Sequence, residues 1–417
     1  MYLAESRGTA PPTAPGRWAA AVPGTVLALG SVSLITDVSA EMVTAVLPLY
    51  LVSGLGLSPL GFGLLDGVYN GFSAVVRLLG GHLADRGGGR HKAVAAVGYG
   101  LSALCKPLLL VVHSLPLIGA VLAVDRTGKG LRTAPRDALI SLSTPESRRG
   151  RAFGVHRAMD TAGALLGPLL AFLVLRVAAE GYDAVFTVSS CVAAVGVLVL
   201  LLFVPGGRQA AAQGPDGPGG PPPAAVRPRE ALALLRLPAL RRLTGCAMLL
   251  GLTTVSDSFV YLVLQRRFEI PVQWFPLLPL GTAASFLLLA VPLGAVADRV
   301  GRRRLFLLGH LALLGAYALL LGPSGGGLLP VAVLALHGAF YAATDGVLPA
   351  AAAGAVPERL RASGLALVGT GQAVARFGCS LAFGAAWTAW GDRTALGWAA
   401  GGLALAAVLA AVMVGAE

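Results

Sequence analysis

Acids and bases are scarce in this sequence, and they recur at helical spacing. Only 12% of the 417 residues are charged, yet DRTGKGLRTAPRD, residues 125–137, holds four cations and two acids between apolar runs. Residues at i, i+4, i+7 or i+8, and i+11 share one face of a helix. On that rule Ser33, Asp37, Glu41 and Thr44 form one polar stripe, and Asp66, Asn70, Ser73 and Arg77 a second. Asp125, Lys129, Arg132 and Arg136 form a third; His156, Asp160, Gly163 and Gly167 a fourth; Gln372, Arg376, Cys379 and Phe383 a fifth. Thinner stripes hold Thr254, Asp257 and Tyr261, and His337, Tyr341 and Thr344 beside Asp345. Such residues can carry protons, bind a charged solute or pair with one another. Two acids one turn apart, Asp37 and Glu41, suit reversible protonation or capture of a cation.

The elements that must hold these stripes are long and apolar. The chain is 56% hydrophobic with a mean hydropathy of +0.76, whereas soluble domains carry roughly 25% charged residues. Apolar runs of about 20 residues recur, the length a helix needs to cross a bilayer. A β-barrel would show short alternating segments instead. Twelve helical spans are predicted, at 24–52, 60–84, 93–113, 115–138, 152–176, 182–204, 243–265, 273–297, 304–322, 328–350, 364–388 and 394–414. An ionisable group at the bilayer centre costs at least about 2.5–3.5 kcal/mol, so this many require a polar interior.

The Pro- and Gly-rich stretch GGRQAAAQGPDGPGGPPPAAVRPRE (206–230) has little to bury. The expected organisation is a disordered cytoplasmic tail at 1–22, a six-helix bundle at 23–205, a flexible cytoplasmic linker at 206–238 and a second six-helix bundle at 239–417. The net charge of +12 is carried by short Arg/Lys clusters between apolar runs, which argues against nucleic-acid binding. Those clusters fall in alternate loops, which places both termini in the cytoplasm. The halves repeat: GHLADRGGGR (81–90) returns as GAVADRVGRR (294–303), Pro135 as Pro349 and PESRR (145–149) as PERLR (357–361), at offsets of 213, 214 and 212. A parallel repeat implies a pseudo-two-fold axis along the membrane normal and a site between the halves.

These features resemble the major facilitator superfamily over nearly the whole chain. Its loop motif is matched by Gly294, Ala297, Asp298, Arg299, Gly301, Arg302 and Arg303, and in the first half by Asp85, Arg86 and Arg90, where Gly89 departs from the usual Arg. Its fourth-helix pattern is matched from Arg126 to Gly130 with Lys129 in the polar place, and its fifth-helix antiporter pattern by Gly163, Gly167 and Pro168, with Ala171 at the last small position. TDVSAEM (36–42) with LPLYL (47–51), DRTGKGLRTAPRDALI, RAFGVHRAMDTAGALLGPLLAF and TDGV (344–347) are similar to a sparsely characterised bacterial branch that includes siderophore-export and magnetosome-associated permeases. The resemblance implies an all-α integral membrane fold of two pseudo-symmetric six-helix bundles. It implies that spans 3, 6, 9 and 12 are peripheral, with Lys106 an exception, and that the other spans line a cavity. The helix-5 pattern leans toward antiport and export.

Each charged residue has a competing structural reading. Asp37 and Glu41 carry protons or meet a cation, or else sit in fixed salt bridges to Arg126 or Lys129. Arg126 binds an anionic group, or ties span 4 to span 1. Asp66 and Lys106 read best as a structural pair. Asp160 pairs locally with Arg157, or faces Arg77 or Arg132. Asp257, the near-counterpart of Asp37, is the only acid at mid-depth in its span. Arg376 needs an anion from Asp257, Asp345 or the substrate. Asp85, Arg86, Arg90, Asp298, Arg299 and Arg302 form a cytoplasmic gate, or only mark topology. Arg136 and Asp137 are expected at the cytoplasmic end of span 4, past Pro135, at the membrane surface.

The four cysteines, Cys105, Cys191, Cys246 and Cys379, and the scattered histidines show no metal spacing. No phosphate loop is present, and GTGQAVARFG (369–378) reads as close helix packing. The expectation is a monomeric plasma-membrane transporter without cofactor or metal, working in the lipid bilayer on a small-molecule substrate and protons. Specifically, it is a proton antiporter that exports a small organic solute by alternating access. The rivals are an importer or uniporter of a polar nutrient or metal chelate, and a non-transporting scaffold or sensor.

Overall fold

A computed structural model of the chain describes residues 23–69, 91–145, 148–178, 181–205, 234–323, 327–345, 347–356 and 361–415. The expected tail, most of the linker and the first copy of the loop motif lie outside these residues. Among the described residues the regular structure is helical throughout. The helices are α1 (Gly24–Leu49), α2 (59–69), α3 (His91–Val111), α4 (Leu115–Leu142), α5 (Arg149–Val177), α6 (Gly181–Phe203) and α7 (Pro238–Gly251). There follow α8 (Asp257–Phe268), α9 (Leu277–Val300), α10 (Arg302–Leu321), α11 (Leu329–Thr344), α12 (Val347–Gly354), α13 (Arg361–Trp390) and α14 (Asp392–Gly415). Every predicted span contains helix among the described residues, and the second is described only to residue 69.

Seven of the described helical segments are long and apolar enough to cross a membrane. In hydrocarbon each backbone polar group must find an internal partner, which is what a continuous helix supplies. Large apolar side chains stand outward on them: Val177 is 90% exposed, Val291 79% and Val111 72%. A water-soluble protein would bury such a surface; here it faces lipid.

Three spans depart from the predicted continuous form or end. The seventh is broken between α7 and α8, where the run Thr253-Thr254-Val255-Ser256 leaves the helix. The Thr253 and Thr254 hydroxyls donate back to the Leu250 carbonyl at 3.0 and 2.8 Å, and the Val255 N–H donates to the Tyr317 hydroxyl at 2.8 Å. Side chains that bond the local backbone offer it an alternative to the helical ladder, and the phenol replaces a lost helical partner. In the tenth, α11 ends at Thr344 and Asp345 lies in a turn. The fourth runs on through Pro135, four residues past its predicted end at 138. Residues 136–142 continue α4, so Arg136 and Asp137 lie within it. The missing N–H costs one hydrogen bond, and the segment's packing holds the helix through it.

Packing divides the helices into two groups. In one, α1 lies against α5, α6 and α4, and α3 against α4 and α6. In the other, α9 lies against α10 and α11, α10 against α11 and α14, and α13 against α7, α12 and α14. Glycine sets the closest approach in the first group. A Cβ at Gly163 would stand 2.5 Å from the Leu34 carbonyl oxygen, and one at Gly167 would stand 2.8 Å from that of Val38. The helix-5 glycines therefore let α5 touch the backbone of α1 beside Asp37 and Glu41. Gly163→Ala should cost about 1–3 kcal/mol, the range for overpacking, read as a lower unfolding temperature in detergent. Gly154→Ala, on the same helix with nothing within 4 Å of its Cβ, should leave that temperature unchanged.

The groups also meet at one end of the molecule. There Leu60 N–H donates to Thr388 Oγ1 at 3.0 Å, Gly384 leaves no room for a Cβ against the Pro59 carbonyl, and Phe172 packs on Trp274 with ring centroids 5.2 Å apart. Next to this contact Phe62, Phe259, Phe383 and Trp387 form an aromatic cluster with centroids 4.9–5.9 Å apart, edge-on except for the tilted Phe259–Trp387 pair.

Candidate functional site: a charged cavity between the helix groups

Beneath the aromatic cluster lies a cavity of about 380 Å³ with walls from both groups. The first group contributes Glu41 and Thr44 from α1, Tyr69 from α2 and Pro168 from α5. The second contributes the break residues Thr254–Ser258, with Tyr261 of α8, Phe286 of α9, Tyr341 of α11, Asp345, and Arg376 and Ser380 of α13. The break in the seventh span and the turn at Asp345 thus open onto this space. Irregular backbone at membrane depth is tolerated where it lines a cavity.

Asp257 stands at the start of α8 with Ser256 as N-cap residue. Its Oδ1 accepts from the Tyr341 hydroxyl at 2.5 Å and lies 3.0 Å from His337 Nε2. The His337 ring is 1% exposed, so the carboxylate fixes its orientation. Arg376 lies beside Tyr341 but has no carboxylate within 4 Å among the described residues, and its Nε is buried without a hydrogen-bond partner. Glu41 likewise forms no ion pair among the described residues. Ser380 donates to Asp66 Oδ2 at 2.7 Å, a bond between the two groups.

A second polar system is enclosed within the first group. Asp125 Oδ1 lies 2.9 Å from Lys106 Nζ, and its Oδ2 lies 2.8 Å from Arg126 Nη2. Arg126 also donates to the Tyr69 hydroxyl at 2.7 Å, and that hydroxyl contacts Thr44 Oγ1 at 2.6 Å. Lys106 is therefore held by Asp125, not by Asp66 as the sequence suggests. Farther along α4, Arg132 pairs with Asp37 at 3.2 Å, and Arg136 reaches Asp137 at 3.0 Å and Asp160 at 3.7 Å. Asp37 is thus matched by Arg132, where Arg126 or Lys129 was expected. Asp160 faces Arg136, where Arg157, Arg77 or Arg132 was expected. Lys129 lines a small void beside Arg126 and Arg132.

Of the residues singled out from the sequence, Glu41, Asp257, Asp345, Arg376 and Pro168 meet in the cavity. Arg126 touches its wall through Tyr69, while Asp37, Lys129 and Asp160 sit behind it in the first group. Asp85, Arg86 and Arg90 lie outside the described residues, as do the side chains of Asp298 and Arg302. Arg299 is exposed on the last turn of α9. Gly301 follows it at φ +97°, a conformation that favours glycine, and this accounts for the glycine of the second loop motif. The aromatic wall of Phe275 and Phe286 went unnoticed in the sequence, because isolated aromatics in apolar runs carry no signal.

A bundle of lipid-exposed helices around a charged cavity, with a broken helix at its centre, defines a polytopic membrane transporter. The profile of the Major Facilitator Superfamily matches residues 29–378, and the chain belongs to that superfamily. It is a secondary transporter of this class. An uncharacterised MFS-type transporter of Methanocaldococcus jannaschii is 28% identical over 370 residues, 87% of this chain and 88% of the relative. Human solute carrier family 67 member A1 is 29% identical over 244 residues, 55% of this chain and 54% of the relative. Among solved structures, the nucleoside transporter NupG superposes with a TM-score of 0.79 at 15% identity, over 93% of this chain and 98% of NupG. A bacterial homologue of the human lysosomal transporter Spinster, inward-facing and unoccupied, gives 0.71 at 15% identity, over 93% and 96%. These structural likenesses bear on the fold.

Proposed function

We propose that the protein is a proton-coupled antiporter that exports a small organic solute by alternating access. It acts as a monomer in the plasma membrane, with both termini cytoplasmic. The observation that carries this reading is the cavity shared by the two helix groups, with Glu41, Asp257, Asp345 and Arg376 in its walls. The acids differ in how they are held. Asp125 is clamped by two buried cations, and its protonation would strand both. Asp257 is held by a phenol and an imidazole, so it can take a proton without orphaning a fixed cation. Glu41 is free to do the same. A proton from outside and the solute from inside then compete for one cavity.

The alternating Arg/Lys loops support assigning the sealed end, with Leu60, Thr388 and Trp274, to the outside. The arrangement then corresponds to an inward-facing state. The duplicated loop residues Asp85, Arg86, Arg90, Asp298, Arg299 and Arg302 would close the cytoplasmic side in the opposite state. Gly163 and Gly167 would keep α5 in register with α1 while the groups rock.

The test is transport by purified protein in vesicles. Solute movement should reverse with an imposed pH gradient and should acidify or alkalinise the lumen in proportion. Rates indifferent to the gradient would refute proton coupling, and solute movement in the same direction as protons would refute antiport. The outer seal gives a second expectation. The pair Leu60→Cys and Thr388→Cys should cross-link under oxidant and stop transport, with activity restored by reductant. Full transport with the link closed would mean that this seam need not open.

A further inference from the structure

The transport reading leaves the solute's chemistry open, and the cavity walls constrain it. Of the four charged groups in the cavity wall, Glu41 on the first helix group and Arg376 on the second, besides exposed Asp345, form no ion pair among the described residues. Asp257 is occupied by Tyr341 and His337, and exposed Asp345 has access to water. The buried Nε of Arg376 lacks an acceptor, and a planar guanidinium matches a carboxylate through two parallel hydrogen bonds. Between these poles the wall is aromatic and aliphatic: Tyr261, Phe275, Phe286 and Pro168. The volume of about 380 Å³ sits at the small end of ligand sites, the scale of an aromatic amino acid or a dipeptide.

We propose that the cavity takes a zwitterionic solute with an aromatic body, its carboxylate on Arg376, its cationic nitrogen on Glu41 and its ring among Tyr261, Phe275 and Phe286. This rests on the transport reading only for the claim that the bound solute moves. The binding geometry itself favours rocking, because a ligand with one charge on each helix group draws the groups together. A solute with a single charge satisfies only one of the two poles, Arg376 or Glu41.

The experiment uses the purified full chain in lipid nanodiscs and calorimetric titration. The probes are aromatic amino acids and phenylalanine-containing dipeptides, each offered as the free zwitterion, the methyl ester and the N-acetyl derivative. Free zwitterions should bind at least about tenfold more tightly than either blocked form, the scale of one charge-assisted hydrogen bond. Arg376→Gln should erase the preference over the ester and keep that over the N-acetyl form; Glu41→Gln should do the reverse. Arg376→Lys should keep part of the ester preference, since a point charge replaces the fork. If Arg376→Gln fails to fold, the ranking of the three forms on the unaltered protein decides alone.

The site is overturned if no zwitterion in the set binds, or if the methyl esters bind as tightly as the free forms. Vesicles with a luminal pH indicator separate this from the transport reading. Zwitterion binding without movement would remove transport and keep the site. Movement of an ester untouched by Arg376→Gln would remove the site and keep transport.

Discussion

Asp257→Asn should abolish pH-driven transport in vesicles while leaving a folded protein. The amide keeps an oxygen in the place where Asp257 Oδ1 accepts from Tyr341 at 2.5 Å and lies 3.0 Å from His337. The cost to folding should therefore stay within about 1–2 kcal/mol, typical of a substitution that retains its packing. What the amide cannot do is gain and lose a proton. Uphill movement should fall to background, and any residual facilitated flux should lose its dependence on the pH gradient. Asp257→Glu should restore part of the coupling, because the carboxylate survives with displaced geometry. Tyr341→Phe removes one hydrogen bond to the carboxylate, worth about 1.5–3 kcal/mol for a charged acceptor. It should shift the pH profile of transport rather than eliminate coupling. Wild-type gradient dependence in Asp257→Asn would transfer the proton to Glu41, whose Gln variant is the matching measurement.

Much of this was legible in the sequence because the membrane simplifies the problem. Apolar length fixes the helices, and ionisable residues at helical spacing mark the faces turned from lipid. Glu41, Asp257 and Arg376 could therefore be placed on interior faces before any coordinates. Partner choice was not legible. Asp125, Arg126 and Lys129 are neighbours in sequence, so nothing local tells which of them takes Lys106, Asp37 or Tyr69. That depends on the rotation of α3 and α4 about their axes, set by backbone contacts such as that of Gly98 with the Gly128 carbonyl. The break in the seventh span was missed for a related reason. Thr253 and Thr254 look apolar enough to continue a span, and only the Tyr317 hydroxyl, from α10, makes leaving the helix cheap. The expected pairing of Asp66 with Lys106 failed because similar depth is not contact: Asp66 turns to Ser380 across the cavity seam.

The enclosed charge system of the first group should yield the largest loss of stability. Asp125→Asn removes the carboxylate shared by Lys106 at 2.9 Å and Arg126 at 2.8 Å, both of which are buried. Breaking a buried ion pair typically costs about 3–5 kcal/mol, because an uncompensated charge is left behind. Here two cations are stranded by one substitution, so the protein should accumulate poorly or unfold at a markedly lower temperature in detergent. Lys106→Met should be much milder. It removes one cation while Asp125 keeps Arg126, and the apolar stem fills the same volume. Combining the two substitutions should recover part of the loss, since only Arg126 then lacks its counterion, and Arg126 still has the Tyr69 hydroxyl at 2.7 Å. The coupling between the two sites, read as the departure of the double variant from additivity, should be favourable and of the order of 1–3 kcal/mol. Additive effects would mean that Lys106 and Asp125 are each solvated independently, and the network would then be a wet surface rather than a buried clamp. Transport offers a separate readout. Arg126 reaches the cavity wall through Tyr69 and Thr44, so a variant that folds but leaves Arg126 unpaired should change solute affinity through Tyr69 without altering proton stoichiometry.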